Sequence, residues 1–401
     1  MPDDVAVWLA DRAIPLGSLQ PDSEPAELEP LRAILKKVRL VGIGEATHGS
    51  AEFFQVRWRL MEFLSKELGF TTLAIEASAA ASLALDQYVR HGTGDPREVL
   101  AGLGFWTWNT TEMLTVIERL REHNRTAAHP VRVVGIDPQY AVASLQALRA
   151  VLDESAAPLL DPLDGLKRTG LEGPWKPLDP RIEADARRLE EYVAAHGSAD
   201  AREHARIVRQ AADVASKART AADLQALGVV RDRYMAENVS RLMAEPDAKV
   251  VVWAHNGHIM KGAYSGGGVP AMGSHLAREF GEEYYALGVL FGEGEFRAHR
   301  QRFGRLVRGK PPARFSIPLV DTPRVVEGRL AAASPGDYVV DLRGGDRPEP
   351  VADWLAATNH TRGFGGVAGR LTAKFAFMPT VLAEQYDGLA FLRQVSQSTP
   401  L

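Results

Sequence analysis

Four segments of the sequence carry carboxylates or imidazoles directly after a short apolar run. These side chains are those of Glu45 and His48, Glu76, Asp137, and His255 and His258. Histidine titrates near neutrality and can take a proton from water. A carboxylate beside a histidine fixes its tautomer and stabilises the imidazolium that forms, and a second histidine or an arginine can stabilise an oxyanion. These residue types therefore indicate acid–base chemistry, provided that the fold brings them together.

The apolar runs before these residues predict buried strands. The runs are short and rich in β-branched residues, and they span residues 38–44, 71–75, 131–136, 249–254 and 284–290, with two further candidates at 338–342 and 388–392. Periodic apolar positions predict amphipathic helices over residues 53–68 and 112–123. Strands that alternate with helices predict an α/β fold, with a central, largely parallel sheet flanked by helices on both faces.

The predicted parallel sheet gives these residues a common location. In open parallel sheets, ligands bind in the crevice beyond the carboxyl ends of the strands. Parallel strands would bring residues that are far apart in sequence to this one edge. We therefore predict that the carboxylates and imidazoles lie in a single cleft that binds a small-molecule substrate.

The organisation of the chain is expected to be simple. We predict one α/β domain over residues 1–401 that contains a helical insertion over residues 141–245, rich in Ala, Arg, Glu and Leu apart from a Pro-rich patch at 158–180. Two glycine-rich loops, at residues 262–272 and 363–369, are expected to be flexible and can border a substrate site.

Composition excludes several classes of function. The net charge is −4, which argues against a nucleic-acid partner, and the absence of cysteine removes disulfides, thiolate metal sites and cysteine nucleophiles. The N-terminal segment is acidic where a signal peptide is basic, and no uncharged apolar run reaches the ~18 residues of a membrane span. A cytoplasmic protein with no membrane partner is expected, whereas its oligomeric state stays open.

Other hydrolase signatures are absent from the sequence. It contains no Gly-x-Ser-x-Gly nucleophile elbow, no Walker loop and no His-Glu-x-x-His, and the Gly42-x-Gly44 pair lacks the third glycine of a dinucleotide fingerprint. Without a cysteine or an elbow serine, direct attack by an activated water is the simpler mechanism.

Several motifs resemble those of the erythromycin esterase family, in the same order along the chain. They are Gly44–Phe53, Gly69–Ser78, Tyr88–Asp95, Trp106–Glu112, Gly135–Asp137, Arg231–Asn238 and Trp253–Ile259, followed by Met272 and Gly273. The resemblance runs from about residue 5 to the C-terminus and is loose only in the helical insertion. It implies a hydrolase that cleaves an ester or lactone, because known members of this family hydrolyse the macrolactone of erythromycin-type antibiotics.

The resemblance also implies roles for individual residues. It makes His48 the general base that activates water, with Glu45 and Glu76 as essential partners. It places His255 as a further catalytic residue, and His258 and Arg57 on the substrate side of the same site. It also implies a role for Arg231, and no metal or other cofactor is expected.

For three residues the sequence is consistent with either a functional or a purely structural role. Asp137 is expected to orient a histidine, and Trp106 to line the substrate cleft, although core packing explains Trp106 equally well. Arg231 lies on a predicted helix and, without the resemblance, would be a solvated side chain.

Other functions fit the same residues. Histidines 48, 255 and 258 with a glutamate are the ligand types of a zinc or manganese site, so a metal-dependent hydrolase is one alternative. A natural-product tailoring enzyme would use the same base for elimination or transfer. A non-catalytic protein that binds haem or another ligand is the third, because a relative of this fold binds haem.

Overall fold

All seven predicted strands are present, and they lie in one central sheet. The computed structural model describes residues 3–19, 25–168, 178–217, 224–264, 268–302, 305–320 and 322–401. The strands in these ranges are β1 (Ile14–Pro15), β2 (Leu40–Ile43), β3 (Thr72–Ser78), β4 (Arg132–Asp137), β5 (Val250–Trp253), β6 (Ala263–Tyr264), β7 (Val269–Pro270), β8 (Tyr284–Arg302), β9 (Arg305–Leu306), β10 (Ala313–Ile317), β11 (Tyr338–Asp341), β12 (Thr358–Arg362), β13 (Val367–Gly369), β14 (Phe377–Val381) and β15 (Gly388–Val395).

Helices connect most of these strands and include both predicted ones. They are α1 (Asp4–Arg12), α2 (Glu29–Ile34), α3 (Ala51–Leu68), α4 (Ser82–His91), α5 (Pro96–Gly102), α6 (Thr111–Thr126), α7 (Val142–Val151), α8 (Ala157–Leu160), α9 (Ile182–His196), α10 (Ala199–Lys217), α11 (Leu224–Leu242), α12 (Asn256–Ile259), α13 (Met272–Phe280), α14 (Val326–Ala333), α15 (Glu349–Ala356) and α16 (Leu382–Gln385). The prediction over residues 53–68 corresponds to α3, and the prediction over 112–123 falls within α6.

The main sheet is parallel at its centre and antiparallel at one edge. Its strand order is β1-β11-β15-β8-β2-β5-β3-β4, and β9, β10 and β13 also pair with β8. The six strands from β15 to β4 run parallel to one another, whereas β11 and β1 run antiparallel to their neighbours. Every residue of β2 and of β5 is buried, as expected for strands covered on both faces. The predicted α/β fold is confirmed.

The register of four neighbouring strands aligns their carboxyl ends. Ile43 of β2 and Ile75 of β3 both pair with Trp253 of β5, and Gly135 of β4 pairs with Ile75. The residues that follow this row are therefore held side by side at one edge of the sheet. This alignment is the structural basis for the single cleft predicted from the sequence.

A bulge between β3 and β4 interrupts the ladder at Glu76. Ile75 pairs with Gly135 but Ser78 pairs with Asp137, so three steps on β3 match two on β4. A Cβ at position 135 would lie 2.5 Å from the carbonyl oxygen of Ser78, which is why only glycine fits there. Bulges of this kind change the direction of side chains, here that of Glu76.

The described residues between 141 and 245, which leave out 169–177 and 218–223, are mainly helical and return the chain to the sheet. Helices α7 to α10 bury their own apolar cluster, which includes Leu145, Leu189 and Val208. Helix α11 then packs beside β4, where Asn238 Nδ2 donates to the carbonyl of Ile136 at 2.8 Å. Of the Pro-rich patch, residues 169–177 lie outside the described residues.

Backbone hydrogen bonds tie the second glycine-rich loop to the sheet edge. The amide of Phe364 donates to the carbonyl of Ala46 at 2.9 Å, and the amide of His299 donates to the carbonyl of Gly366 at 2.9 Å. In the first loop, β6 and β7 form a short hairpin, while Gly266 and Gly267 lie outside the described residues. No helix in the described ranges is both long and apolar enough to cross a membrane.

Candidate active site

His48 and Glu45 form a pair in the loop after β2, in which Glu45 is buried and His48 is partly exposed. His48 Nδ1 lies 2.5 Å from Glu45 Oε1, and Arg57 Nη2 of α3 donates to Glu45 Oε2 at 2.6 Å. Burial favours a protonated Glu45, but Arg57 and His48 outweigh it and keep the pKa of Glu45 below its ordinary value. Burial lowers the pKa of His48 while Glu45 raises it, and the net pKa of His48 is raised.

The tautomer of His48 follows from this pair. Because Nδ1 is held by a carboxylate, it carries the proton and donates it, which leaves Nε2 as the unprotonated nitrogen of the neutral ring. Nε2 has no protein hydrogen-bond partner among the described residues. His48 can therefore accept a proton from a molecule in the cleft.

His255 has the opposite arrangement of its two ring nitrogens. The amide of Gly257 donates to His255 Nδ1 at 3.1 Å, so the ring proton lies on Nε2. Nε2 is buried and has no hydrogen-bond partner in the described part of the chain. Burial, together with His48 and His258, lowers the pKa of His255 to about 4, so the ring is neutral at physiological pH. The site thus holds an unsatisfied N–H donor beside an imidazole base.

His258 lies between two carboxylates. Its Nδ1 is 2.8 Å from Asp232 Oδ1, and its Nε2 is 3.2 Å from Glu76 Oε1. Burial opposes a charge on the ring, and so does Arg231, whose Nη1 lies 3.0 Å from Nε2. Asp232 and Glu76 outweigh both and raise the pKa of His258 to about 10, so this ring is an imidazolium at neutral pH.

Asp232 is itself held by Tyr264 of the β6–β7 hairpin and by the first residue of α13. Its Oδ2 accepts a hydrogen bond from the Tyr264 hydroxyl at 2.9 Å and another from the amide of Met272 at 2.9 Å. The Tyr264 hydroxyl also lies 2.8 Å from His258 Nδ1. The orientation of His258 is thus fixed by residues from α11 and from the β6–β7 hairpin.

Arg231 joins the ends of β3 and β4. Its Nη2 donates to Glu76 Oε1 at 2.6 Å and to Asp137 Oδ2 at 2.7 Å. Glu76 Oε2 in turn accepts from the backbone amide of His255 at 2.9 Å. Burial would raise the pKa of Glu76, but His258 and Arg231 hold it well below the ordinary value. Burial would lower the pKa of Arg231, but Asp137 and Glu76 raise it well above the ordinary value.

The charges of this cluster do not cancel. Its carboxylates are those of Glu45, Glu76, Asp137 and Asp232, and its cations at neutral pH are Arg57, Arg231 and the His258 imidazolium. Four negative charges against three positive charges leave one negative charge in excess. That excess favours a proton on His48, so the cluster stabilises the imidazolium that forms when His48 takes a proton.

A cavity of about 260 Å³ opens beside these side chains. Its polar wall consists of His48, Glu76, Arg231, His255 and His258. The rest of the described lining is mainly apolar or aromatic and comprises Gly104, Phe105, Trp106, Thr107, Trp108, Tyr140, His299, Leu306, Gly365, Gly366 and Val367. The Trp106 ring packs edge-on against His299, with their centroids 5.7 Å apart.

The nine residues singled out in the sequence fall into two groups. Six of them line the cavity, namely His48, Glu76, His255, His258, Arg231 and Trp106. Glu45, Arg57 and Asp137 are buried behind this wall. Arg57 is enclosed by the rings of Phe54, Trp108 and Trp253, with its guanidinium carbon 5.1 Å from the Trp253 ring. The structure therefore places Arg57 against Glu45 and Asp137 against Arg231.

Sequence reasoning missed several residues of the site. Asp232 follows Arg231 directly and belongs to a quoted motif, so it was the easiest of these to find. Tyr264 lies in the glycine-rich segment 262–272 but was not singled out there, Tyr140 lies in a loop without a periodic pattern, and His299 lies beyond the predicted end of its strand.

No group of three or more His, Asp or Glu side chains in the described residues is arranged to hold a metal ion. The carboxylates of Glu45 and Glu76 are instead engaged by arginines. The fit of a divalent ion to this cluster is therefore poor, because Arg57 and Arg231 occupy the oxygens that a metal would use.

Comparisons with known proteins identify relatives of the whole fold. A sequence model described as erythromycin esterase matches residues 65–395. The chain is 27% identical to erythromycin esterase type II of Escherichia coli over 322 residues. This alignment covers 70% of this chain and 76% of that protein. A solved succinoglycan biosynthesis protein superposes with a TM-score of 0.82 at 22% identity, over 99% of this chain and 98% of that one. A mutant of the erythromycin esterase EreC in its open conformation superposes with a TM-score of 0.69 at 20% identity, over 96% of this chain and 97% of that one.

Proposed function

Because this chain belongs to the erythromycin esterase family, a family of hydrolases, we propose that it cleaves an ester or lactone with a water activated by His48. The observation that carries this proposal is the His48–Glu45 pair at the wall of the cavity. The pair leaves one unprotonated ring nitrogen for a substrate water. None of the described residues lining the cavity is a serine or a cysteine, which supports water as the nucleophile.

The proposed reaction uses the two histidines in different ways. His48 Nε2 takes a proton from water as the water oxygen attacks the ester carbonyl carbon. The carbonyl oxygen then becomes an oxyanion, and the Nε2–H of His255 donates a hydrogen bond to it. When the C–O bond to the alcohol breaks, the proton on His48 passes to the leaving oxygen. The products are a carboxylic acid and an alcohol, so the substrate gains one water overall.

The remaining charged residues would hold this arrangement in place. Arg57 fixes Glu45, and Glu45 fixes His48. Arg231 and Glu76 fix the loop that bears His255, because Glu76 accepts its backbone amide. In this proposal His258 and Arg231 lie at the substrate side as fixed cations, while Trp106 contributes to the apolar wall.

The substrate is proposed to be a macrolide-type lactone or an ester of another bulky secondary metabolite. Sites for drug-sized ligands have volumes of roughly 300–1,000 Å³. The cavity of about 260 Å³ would therefore enclose the reacting ester and the groups beside it. The rest of a macrolide would extend towards solvent.

The first experiment is mass spectrometry of erythromycin and a panel of other lactones and esters after incubation with the pure protein. A product heavier by one water, formed with and without chelator and absent with His48→Ala, is the expected result. A product that has lost water, or that is joined to a second molecule, would contradict hydrolysis and indicate elimination or transfer. Hydrolysis of another ester but not of erythromycin would contradict only the macrolide assignment.

A further inference from the structure

Tyr140 has a backbone conformation that its side chain disfavours. Its φ is +62°, and it is the only non-glycine residue with a positive φ in the described ranges. A bulky side chain in this left-handed region is an outlier, and such strain persists where the surrounding structure holds it for a function. The ring of Tyr140 lines the cavity of the candidate active site.

The surroundings of Tyr140 hold this conformation from both sides. The amide and the side-chain Nε2 of Gln139 both donate to Asp137 at 3.0 Å, and Asp137 is the carboxylate that binds Arg231. Ser78 Oγ donates to the carbonyl of Tyr140 at 3.1 Å. The turn after β4 is therefore tied to the charged cluster, and the Tyr140 ring is presented from that turn.

The ring packs against the loop that connects α5 to α6. The Tyr140 and Phe105 rings meet edge to face, with centroids 4.6 Å apart and an interplanar angle of 89°. Gly104 lies beside the Tyr140 ring, and a Cβ there would be in ordinary van der Waals contact, 3.9 Å from its Cγ, so glycine is favoured at this position by its φ of +78°. Phe105 and Trp106 continue this aromatic surface along the cavity.

We propose that Tyr140, with Phe105, is a specificity-determining residue that receives an apolar ring or ring face next to the scissile ester. The inference rests on the proposed esterase function and names its substrate class as ring-bearing esters and lactones. The cavity supports this class because its polar wall is already satisfied by internal ion pairs, apart from the ring nitrogens of His48 and His255. Aromatic side chains bind apolar groups of this kind through the large area that they bury.

Two acetate esters test the proposal. Ethyl acetate and cyclohexylmethyl acetate both release a primary alcohol, and they differ in the cyclohexyl group that replaces the terminal methyl group of ethyl acetate. We expect the wild-type protein to prefer the ring ester in kcat/KM by roughly 10-fold or more. Tyr140→Ala should reduce kcat/KM for the ring ester about 10-fold, mainly through KM, and change that for ethyl acetate by less than about 2-fold.

A purely structural role for Tyr140 predicts a different pattern. It would lower kcat/KM for both esters by the same factor, and that result would overturn the proposal. The matched control is Tyr192→Ala, whose ring stacks on His196 of the same helix, outside the cavity lining. This variant should leave the preference for the ring ester unchanged.

The backbone strain gives a second, independent measurement. Glycine adopts a positive φ freely, whereas alanine does not. Tyr140→Gly should therefore have a higher Tm than Tyr140→Ala, while both lose the same preference for the ring ester. A preference retained in either variant would overturn the proposal.

Binding separates this inference from the proposed function. N-(cyclohexylmethyl)acetamide presents the same ring but replaces the ester by an amide, and its binding is measured by calorimetry. Binding that Tyr140→Ala weakens about 10-fold supports the inference even if no ester is cleaved, in which case only the esterase function fails. Equal binding by the wild type and the variant overturns the inference even if esters are cleaved.

Discussion

One carboxylate links a fully buried arginine to the histidine at the cavity wall. Glu45 binds His48 Nδ1 through Oε1 at 2.5 Å and Arg57 Nη2 through Oε2 at 2.6 Å. Arg57 is 0% exposed, so its charge cannot be solvated and is balanced by Glu45. Glu45 is thereby held ionised and in position, which fixes both the orientation and the tautomer of His48.

We predict that His48→Ala lowers kcat by about 10²- to 10⁴-fold, because positioned general bases contribute factors of this size. KM should change little, since His48 acts on the water. The measurement is steady-state kinetics on whichever ester the wild type cleaves, with circular dichroism to verify the fold. His129→Ala, at an exposed histidine, is the matched control and should keep full activity. Full activity in His48→Ala would remove this residue from the mechanism.

The pH dependence of kcat/KM should report the same pair. Activity needs the neutral ring of His48, so kcat/KM falls as the pH drops through its pKa. Burial lowers this pKa and Glu45 raises it, and since the net shift is upward, the acidic limb should lie above the ordinary value of 6.5. Glu45→Gln removes the raising contribution, so the limb should move to lower pH while the maximal rate falls. A limb that stays in place or moves to higher pH would contradict the pairing.

The sequence predicted the convergence of the site because the sheet is parallel there. Glu45, His255 and Asp137 each lie two residues beyond members of one aligned row, and Glu76 lies one residue beyond it. Strand ends are readable from apolar runs, and parallel pairing puts those ends at one edge. The carboxylate that pairs with each histidine could not be predicted from the sequence. It depends on the side-chain directions that the β3–β4 bulge and the packed helices impose.

The residues that escaped prediction lie where periodicity gives no information. Adjacent residues on a helix point about 100° apart, so Arg231 and Asp232 would not be expected to serve one site. They do so because Arg231 reaches Glu76 and Asp137 while Asp232 reaches His258. His299 was missed because β8 continues twelve residues past the predicted end at residue 290. The positive φ of Tyr140 is set by tertiary contacts and has no sequence signal.

We predict that His255→Ala lowers kcat by about 10²- to 10³-fold with little change in KM, as expected for the loss of one oxyanion donor. His255→Gln, which retains an N–H donor, should recover part of this loss. A phosphonate analogue of the tetrahedral intermediate provides the decisive measurement. Its affinity should fall in His255→Ala by the same factor as kcat/KM. Unchanged affinity for the phosphonate would mean that the Nε2–H of His255 has another role.

Chelation should leave activity unchanged. The oxygens of Glu45 and Glu76 are occupied by Arg57 and Arg231, and His258 is held as an imidazolium, which cannot bind a metal. The measurement is kcat/KM after dialysis against EDTA, together with elemental analysis of the purified protein. Loss of activity that zinc or manganese restores would favour the metal-dependent alternative.

Arg231 should be as important for stability as for the site. Arg231→Met leaves the buried carboxylate of Asp137 without its cation and leaves Glu76 with His258 alone, and breaking a buried ion pair in this way typically costs about 3–5 kcal/mol of unfolding free energy. The matched control is Arg233→Met on the same helix, since Arg233 is 48% exposed and its nearest carboxylate oxygen is 3.5 Å away. An exposed pair of this kind contributes no more than about 1 kcal/mol.

The loss caused by Arg231→Met should also depend on pH. In the wild type, Arg231 helps to hold the pKa of Glu76 well below its ordinary value, so this contribution is present at neutral pH and is lost as the pH falls through that lowered value. Arg231→Met lacks the stabilisation that Arg231 gives to ionised Glu76. Its loss of unfolding free energy relative to the wild type should therefore be largest at neutral pH and smaller in acid. Urea unfolding at about pH 7 and at about pH 3.5, which lies below the ordinary pKa of a glutamate, measures both differences. A deficit that is equal for both arginines, or that grows in acid, would show that Arg231 is not the cation that balances this cluster.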